Sequence, residues 1–325
     1  MPRCVIADAF GPPDVYELRE CPSAPLRTGE VRVALKAAGI SFVDVLTAAG
    51  EYQVKPPLPF CPGSEAAGIV IETGSLSAKF AVGDAVVASG WGGLFAEEAV
   101  LPERSIRRLP QGFDFAEAAV FPVSYTTAWH ALVDRAGVRA GETVLVLGAG
   151  GATGYAAVQV AKHLGARVIG SASSEAKRAL ATTGGADATV TAGADDWRDQ
   201  VREANTGRPV DVVFDTIGGD ATESAFRSLG WGGRHLVIGF AQGIATLRTN
   251  LALIKGASLI GVDIRQFGEF EPEKSRANRD AIFALAESGV LRPAIAGRYC
   301  LAQFRSAMNE AAVGKSAGRI VLEMV

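Results

Sequence analysis

The stretch from Thr143 to Lys177 constrains the fold of this chain more than any other. It opens on Thr143-Val144-Leu145-Val146-Leu147, a short apolar, β-branched run of the kind that forms a strand buried on both faces of a parallel sheet. Glycines follow at once. Gly148, Gly150, Gly151 and Gly154 permit a tight turn and a close backbone approach, and apolar residues then recur at helical spacing up to a C-cap signal at Gly165. Ala166 to Gly170 reads as a second buried strand. Strand, glycine turn, helix and strand make a βαβ unit, and the helix N-terminus that the glycines expose offers N–H groups and a positive dipole end to a phosphate.

The glycines fall as Gly148-x-x-Gly151-x-x-Gly154 rather than as the strict dinucleotide fingerprint, so the position between strand and helix carries the reading. A turn needed only for close helix packing is the alternative. Cofactor choice belongs at the end of the second strand, where an Asp or Glu would hold the ribose 2′-hydroxyl of NAD. The chain has no acid there. It has Ser171, Ala172, Ser173 and Ser174, then Lys177 one turn into the next helix, which are neutral donors and a cation suited to a 2′-phosphate. The expected cofactor is NADPH. Ser173 or Ser174 also reads as a helix cap and Lys177 as a solvated residue, and capping is compatible with phosphate binding.

With 325 residues the chain exceeds the size at which one core keeps growing, so two domains are expected. Up to about Phe121 it reads as short strands between Pro and Gly turns: Cys4 to Ala9, Val15 to Arg19, Glu30 to Gly39, Glu65 to Glu72, Ala85 to Ser89 and Phe95 to Leu101. Such spacing predicts a small, partly open antiparallel barrel. Strand and helix signals then alternate, with strands near 143, 167 and 188, at Val210 to Phe214, His235 to Gly239 and Ser258 to Val262, which fits a doubly wound sheet. The tail holds a polar helical stretch from Lys274 to Ser288 and a last strand, Gly318 to Leu322.

A net charge of -3 gives no basic footprint, so neither nucleic acid nor an anionic membrane is an expected partner. Met1 to Phe10 is too short and too charged for a signal peptide and no apolar run reaches membrane-spanning length, so the expected location is cytoplasmic. Cys4, Cys21, Cys61 and Cys300 form no C-x-x-C pair, which argues against a structural zinc and a disulfide framework and for free thiols.

The segments AAGISFVDVLTAAGEY (Ala37 to Tyr52), LPFCPGSEAAGIV (Leu58 to Val70), VGDAV (Val82 to Val86), the Gly148 loop, GADATV (Gly185 to Val190), VDVVFDTIGGD (Val210 to Asp220) and SAGRIVL (Ser316 to Leu322) follow one another at the spacing of a known family. The chain resembles the zinc-free, zeta-crystallin-like NADPH:quinone oxidoreductases of the medium-chain dehydrogenase/reductase superfamily over essentially its whole length. The resemblance implies an α/β fold: a GroES-like β-barrel catalytic domain over residues 1–122, completed by 266–325, and a Rossmann NADPH-binding domain with a doubly wound parallel sheet over 123–265. It also implies a homodimer, joined through the strand around Ser258 to Val262.

In the zinc alcohol dehydrogenases that the chain also resembles, a Cys ligand stands at the position of Ser41 and a His ligand at that of Ser64. An unactivated hydroxyl is a poor zinc ligand beside thiolate or imidazole, so no metal is expected. Without a Lewis acid the fitting chemistry is hydride delivery to an already electrophilic quinone or conjugated enone. Ser41, Asp44 and Tyr52 match the family's pocket positions, although the family commonly has Asn at the position of Ser41. Tyr52 would donate a hydrogen bond or proton to the substrate oxygen, or it is a loop aromatic packed on the segment from Pro56 to Pro62. Asp44 reads as the cap of a helix beginning there.

For the cofactor, the resemblance implies contacts from Thr127, from Gly150, Gly151, Ala152, Thr153 and Gly154 at the pyrophosphate, from Ser173, Ser174 and Lys177 at the adenosine phosphate, and from Gly239, Phe240 and Ala241 at the nicotinamide. Arg319 is a further candidate for a phosphate contact. Ala152 stands where relatives often have Gly, and Ala192 where some have a Tyr beside the 2′-phosphate. Cys61 reads as a small buried hydrophobe, and His130, His163 and His235 as structural histidines. The expected reaction is hydride transfer from NADPH, bound in a cleft between the domains, to a quinone or enone. The alternatives are an enoyl-thioester or 2-alkenal reductase on the same fold and a non-catalytic, NADPH-binding structural or sensing protein.

Overall fold

The structure, a computed structural model, describes residues 1–75 and 79–324. In chain order it begins with β1 (Arg3–Ala7), β2 (Tyr16–Glu20), β3 (Glu30–Ile40), α1 (Phe42–Ala49), β4 (Glu65–Thr73), β5 (Ala85–Ser89), β6 (Glu98–Pro102), β7 (Ile106–Arg108), α2 (Phe115–Ala118) and α3 (Pro122–Trp129). A π-helical turn over His130–Arg135 leads to β8 (Thr143–Leu147), α4 (Ala152–His163), β9 (Arg167–Ala172), α5 (Glu175–Thr183), β10 (Ala188–Thr191), α6 (Trp197–Ala204) and β11 (Val210–Asp215). The rest is α7 (Ala221–Ser228), β12 (Leu229–Val237), α8 (Asn250–Lys255), β13 (Ser258–Gly261), α9 (Ile264–Phe270), α10 (Pro272–Glu287), β14 (Ile295–Cys300), α11 (Phe304–Val313) and β15 (Arg319–Glu323).

The chain divides into two compact units, Met1–Val123 with Arg292–Val325, and Ser124–Leu291. The second division therefore falls 26 residues later than the sequence boundary at 265/266. The reason is that α9 and α10 are held within the second unit. Phe267 stacks on His130 with ring centroids 3.7 Å apart, and Asn278 Nδ2 donates to Asp134 Oδ2 at 2.6 Å.

In the second unit the six strands lie in the order β10-β9-β8-β11-β12-β13, every pair parallel. All five residues of β8 are buried, which is why that run carries no polar alternation. Chain direction across the sheet reverses between β8 and β11, so their carboxyl ends form the switch point at which α/β sheets bind ligands. The core below it joins Leu145, Ile169, Val213, Phe226 and Leu251, among others.

In the first unit β14-β15-β3-β4-β5-β7 form one sheet, with β6 also paired to β3. The C-terminal strand is integral to it: β15 runs antiparallel to β3 with Ile320 opposite Ile40 and Leu322 opposite Ala38. Strands β1 and β2 pair antiparallel, Cys4 opposite Arg19, which brings Cys21 to Cys4. The two cysteines form a disulfide with Cα atoms 5.9 Å apart, a correction to the expected four free thiols; Cys61 and Cys300 are free. The spacing of 17 residues hid the pair, because only the strand register brings them together.

Candidate functional site

The glycines between β8 and α4 have separate tasks. Gly148 has φ +73°, and a Cβ on it would lie 2.6 Å from Thr216 Oγ1, whose hydroxyl donates to the Leu147 carbonyl across the switch point. Gly154 packs onto the Gly148 carbonyl, leaving 2.7 Å between a Cβ and Gly148 C. Gly150 lies against the backbone of Lys177 on α5. A Cβ on Gly151 would meet nothing nearer than 3.3 Å, and Gly151 is the N-cap of the 12-residue helix α4, with no side chain capping it. Gly151, Ala152 and Thr153 thus present the helix N-terminus that a pyrophosphate requires, and the cradle fits a dinucleotide.

At the end of β9 the predicted residues diverge. Ser173 is exposed, whereas Ser174 caps α5, its Oγ accepting from the Lys177 amide at 3.3 Å. Ser171 turns inward and accepts from Trp197 Nε1 at 2.9 Å. Lys177 is half-buried, and burial holds its amino group below the usual lysine range. Sequence reading missed the next residue, Arg178, whose Nη1 donates to the Ala172 carbonyl at 3.4 Å.

The loops after β11 and β12 are bonded together at the same edge. Gln242 N donates to Ile217 O at 2.8 Å and Gly219 N to Gly243 O at 2.8 Å. Gly239, Phe240 and Ala241 begin the second loop, with Phe240 44% exposed. Asp215 holds the first: its carboxylate accepts from the amides of Ile217 and Gly218, both at 2.9 Å, from Thr222 Oγ1 at 2.7 Å and from His235 Nε2 at 3.0 Å. Burial alone would raise this carboxyl, but the hydrogen bonds from His235, Gly218 and Thr222 outweigh it and hold the pKa below the ordinary value. Sequence reading did not find this role for Asp215. Two of the three histidines are paired with carboxylates, His235 with Asp215 and His130 with Asp134 at 2.8 Å, and the third, His163, packs near Trp129. Thr127 is buried on α3.

In the first unit a pocket is lined by Val43, Asp44, Thr47, Tyr52, Phe60 and Ser64, with Trp91 at its rim. Ser41 and Asp44 form a capping box on α1: Ser41 Oγ accepts from the Asp44 amide at 3.1 Å, Asp44 Oδ2 accepts from the Ser41 amide at 2.8 Å, and Ser41 Oγ donates to the same oxygen at 2.6 Å. The capping reading of Asp44 is thus the one observed, and Ser41 is its partner rather than a pocket-facing donor. Burial raises the Asp44 carboxyl, against hydrogen bonds from Ser41 and Ser64 and the nearby charge of Arg319. Arg319 is itself 5% exposed, with Nη2 2.8 Å from Glu65 Oε2, an internal ion pair. Tyr52 and Ser64 reach the same pocket; Trp91, which no sequence motif marked, is 62% exposed beside them.

Residues 27–111 match the model of the alcohol dehydrogenase GroES-like domain and residues 152–277 that of the zinc-binding dehydrogenases. The chain is 35% identical to a quinone oxidoreductase of Pseudomonas aeruginosa, covering 97% of both chains, and 35% identical to quinone oxidoreductase-like protein 2 homolog of Nematostella vectensis, covering 98% of this chain and 88% of the relative. It belongs to the quinone oxidoreductase family of the medium-chain dehydrogenase/reductases. A mycobacterial member of the fold solved in complex with NADPH superposes with a TM-score of 0.90 at 27% identity, covering 99% of this chain and 100% of that one. This quinone oxidoreductase family chain is therefore an oxidoreductase with a nicotinamide-cofactor domain and a GroES-like domain. Among its described residues no helix is long and apolar enough to cross a membrane, and no three His, Cys, Asp or Glu gather into a group that could hold a metal ion.

Proposed function

We propose that this chain reduces a quinone or a related conjugated carbonyl with NADPH and without zinc. The observation that carries the reading is the state of the two hydroxyls at the zinc-ligand positions: Ser41 is bonded to Asp44 at 2.6 Å, and Ser64 also hydrogen-bonds Asp44. Neither thiolate nor imidazole is there, so these residues do not fit a zinc ion, and an acceptor that needs no Lewis acid suits the pocket. When bound, NADPH supplies the hydride. Gly151, Ala152 and Thr153 hold its pyrophosphate, while Ser173 and Lys177 hold its adenosine phosphate. The aromatic and aliphatic pocket wall excludes water from an uncharged ring, and Tyr52 donates a hydrogen bond to the oxygen on which charge develops.

The presence of Tyr52 in the pocket favours a second reading, reduction of an enoyl thioester or 2-alkenal with the phenol as proton donor. Rapid-mixing oxidation of NADPH, with NADH alongside, against 1,4-benzoquinone, 9,10-phenanthrenequinone, a short 2-alkenal and crotonyl thioester separates the two. Fast turnover of the quinones supports the first reading. Turnover confined to the alkenal or thioester, lost in Tyr52→Phe, supports the second, and NADPH binding without turnover on any acceptor sinks both in favour of a structural or sensing protein.

The proposal includes a cytoplasmic homodimer. Support for the dimer comes from β13, an edge strand whose Leu259 is 51% exposed, with Leu253 and Ile254 of α8 exposed beside it in sequence. Light scattering on the wild type and on Leu259→Lys tests it, a dimer that becomes monomeric being the expected result. Thiol trapping of Cys4 and Cys21 in intact cells tests the location: the two as reduced thiols support the cytoplasm, and the two joined as a disulfide overturn it.

A further inference from the structure

We propose that Trp91 selects the acceptor: its indole face stacks on the ring of a planar, uncharged acceptor in the pocket of the first unit and so favours ring acceptors over open-chain enals and thioesters. The inference rests on the reading of this chain as a reducer of quinones or related conjugated carbonyls, and it names the residue that chooses among them.

Trp91 stands on the turn between β5 and β6, inside the run Gly90-Trp91-Gly92-Gly93. Gly92 and Gly93 have φ of +121° and +87°, a region that other residues rarely adopt. The turn is tied down on both sides of the indole. The Gly90 amide donates to the Ser64 carbonyl at 2.9 Å, and the Gly93 amide to the Cys61 carbonyl at 2.7 Å. A Cβ on Gly92 would lie 2.9 Å from the same Cys61 oxygen, so the two segments are closely packed. Pro62, Gly63 and Ser64 of one and Trp91 and Gly92 of the other line the pocket, which holds Trp91 in place at its rim.

The fold makes little use of this side chain. Trp197 donates from Nε1 to Ser171 Oγ at 2.9 Å, and Trp129 has the His163 ring 6.2 Å away between centroids, whereas Trp91 makes no hydrogen bond and no ring contact among the described residues. Its indole is 62% exposed beside a pocket, apolar area that a ligand would remove from water. A flat ring in offset stacking covers that face, and a chain of a few carbons covers only part of it. Val54 and Phe60 continue the apolar wall. No Lys, Arg or His lines the pocket among the described residues, and Lys55, next to Val54 in sequence, has its Nζ over the Phe10 ring at 5.9 Å. The phosphates of a carrier thioester therefore find no counter-charge at this rim, and an uncharged quinone needs none.

The test compares wild type, Trp91→Ala and Trp91→Phe in steady-state oxidation of NADPH by 9,10-phenanthrenequinone and by a short 2-alkenal, with NADPH titration to show that each variant is folded. Trp91→Ala should raise KM for the quinone about tenfold with little change in kcat, the size of an aromatic stacking contact, while KM for the alkenal stays near its wild-type value. Trp91→Phe should recover most of the loss. With NADP+ in place of NADPH, so that no turnover occurs, the quinone should quench the tryptophan fluorescence of the wild type saturably, and the saturable part should vanish in Trp91→Ala. Trp231, 84% exposed on the second unit, adds only quenching that grows linearly with quinone. A quinone KM unmoved by Trp91→Ala, or equal rises for quinone and alkenal, would overturn the proposal while leaving the quinone reading intact. Wild type that turns over the alkenal and not the quinone would overturn the proposal in favour of the enal and thioester reading, and wild type that reduces neither would overturn the proposal and both readings.

Discussion

Gly150 and Lys177 meet backbone to backbone: a Cβ on Gly150 would lie 2.6 Å from the Lys177 carbonyl oxygen and 2.7 Å from its Cα. The turn after β8 and the first turn of α5 are therefore one packed piece, and whatever fixes the pyrophosphate also fixes the cations at the adenosine end. Gly150→Ala forces these backbones apart. It should cost roughly 1–3 kcal/mol of stability, the usual range for overpacking, and weaken NADPH binding. Gly151→Ala, with 3.3 Å to its nearest neighbour and an ordinary φ of -90°, should cost much less. Thermal unfolding and NADPH titration of the two variants check the contrast.

Asp215 gives the second unit an acid limit. Its folded pKa lies below the ordinary value, so the ionised carboxylate stabilises the native state fully above the unfolded pKa of about 3.9, and that contribution is lost as pH falls through the lower folded value. Asp215→Ala strips the partner from His235, Thr222 and two amides and should cost on the order of 3 kcal/mol at neutral pH. Denaturant unfolding below pH 5 should then fall less steeply with acid in the variant than in the wild type.

The parts legible in sequence were those whose signal is local. The all-apolar run of β8 and the glycines after it show what they are within a few residues, and the doubly wound sheet followed from the alternation of strands with helices. The three-residue strand β7 is too short to show a pattern, and the Leu-Gly-Trp-Gly-Gly start of β12 reads as a turn although it extends the strand back to Leu229. What stayed hidden depends on partners distant in the chain. Asp215 becomes a hub only once His235 lies beside it on the adjacent strand; the ion pair of Arg319 appears only when β15 sets it against Glu65; α10 looks like a solvated polar helix until Asn278 meets Asp134.

Cys61 and Cys300 should differ sharply in reactivity. The Cys61 thiol is pushed up to about 12 by burial, with Sγ directed to the carbonyls of Pro62 and Phe95 at 3.4 and 3.6 Å, so almost no thiolate forms at neutral pH. Cys300 is exposed, and Cys4 and Cys21 are bonded to each other. A thiol reagent at pH 8 should label one cysteine rapidly in the native oxidised protein and a second only on unfolding. Rapid labelling of Cys61, located by peptide mapping, would contradict the packing described for it.

The pair Glu65 and Arg319 is 0% and 5% exposed and lies beside Asp44, so it carries charges that must balance. Glu65 also accepts from the Val123 amide at 2.7 Å, and its carboxyl is raised by burial against the opposing pull of Arg319 and that amide. Arg319→Met leaves a buried carboxylate next to a second one and should cost about 3–5 kcal/mol, the range for breaking one partner of a buried pair. Glu65→Gln should relieve much of that loss, so the double variant should be more stable than Arg319→Met alone. If Arg319 is an internal partner, Arg319→Met lowers the unfolding midpoint while folded protein keeps its NADPH affinity. Were it a phosphate contact, the NADPH affinity of the folded protein would fall as well. Denaturant unfolding of the cycle, with dinucleotide titrations below the unfolding transition, decides between the two tasks.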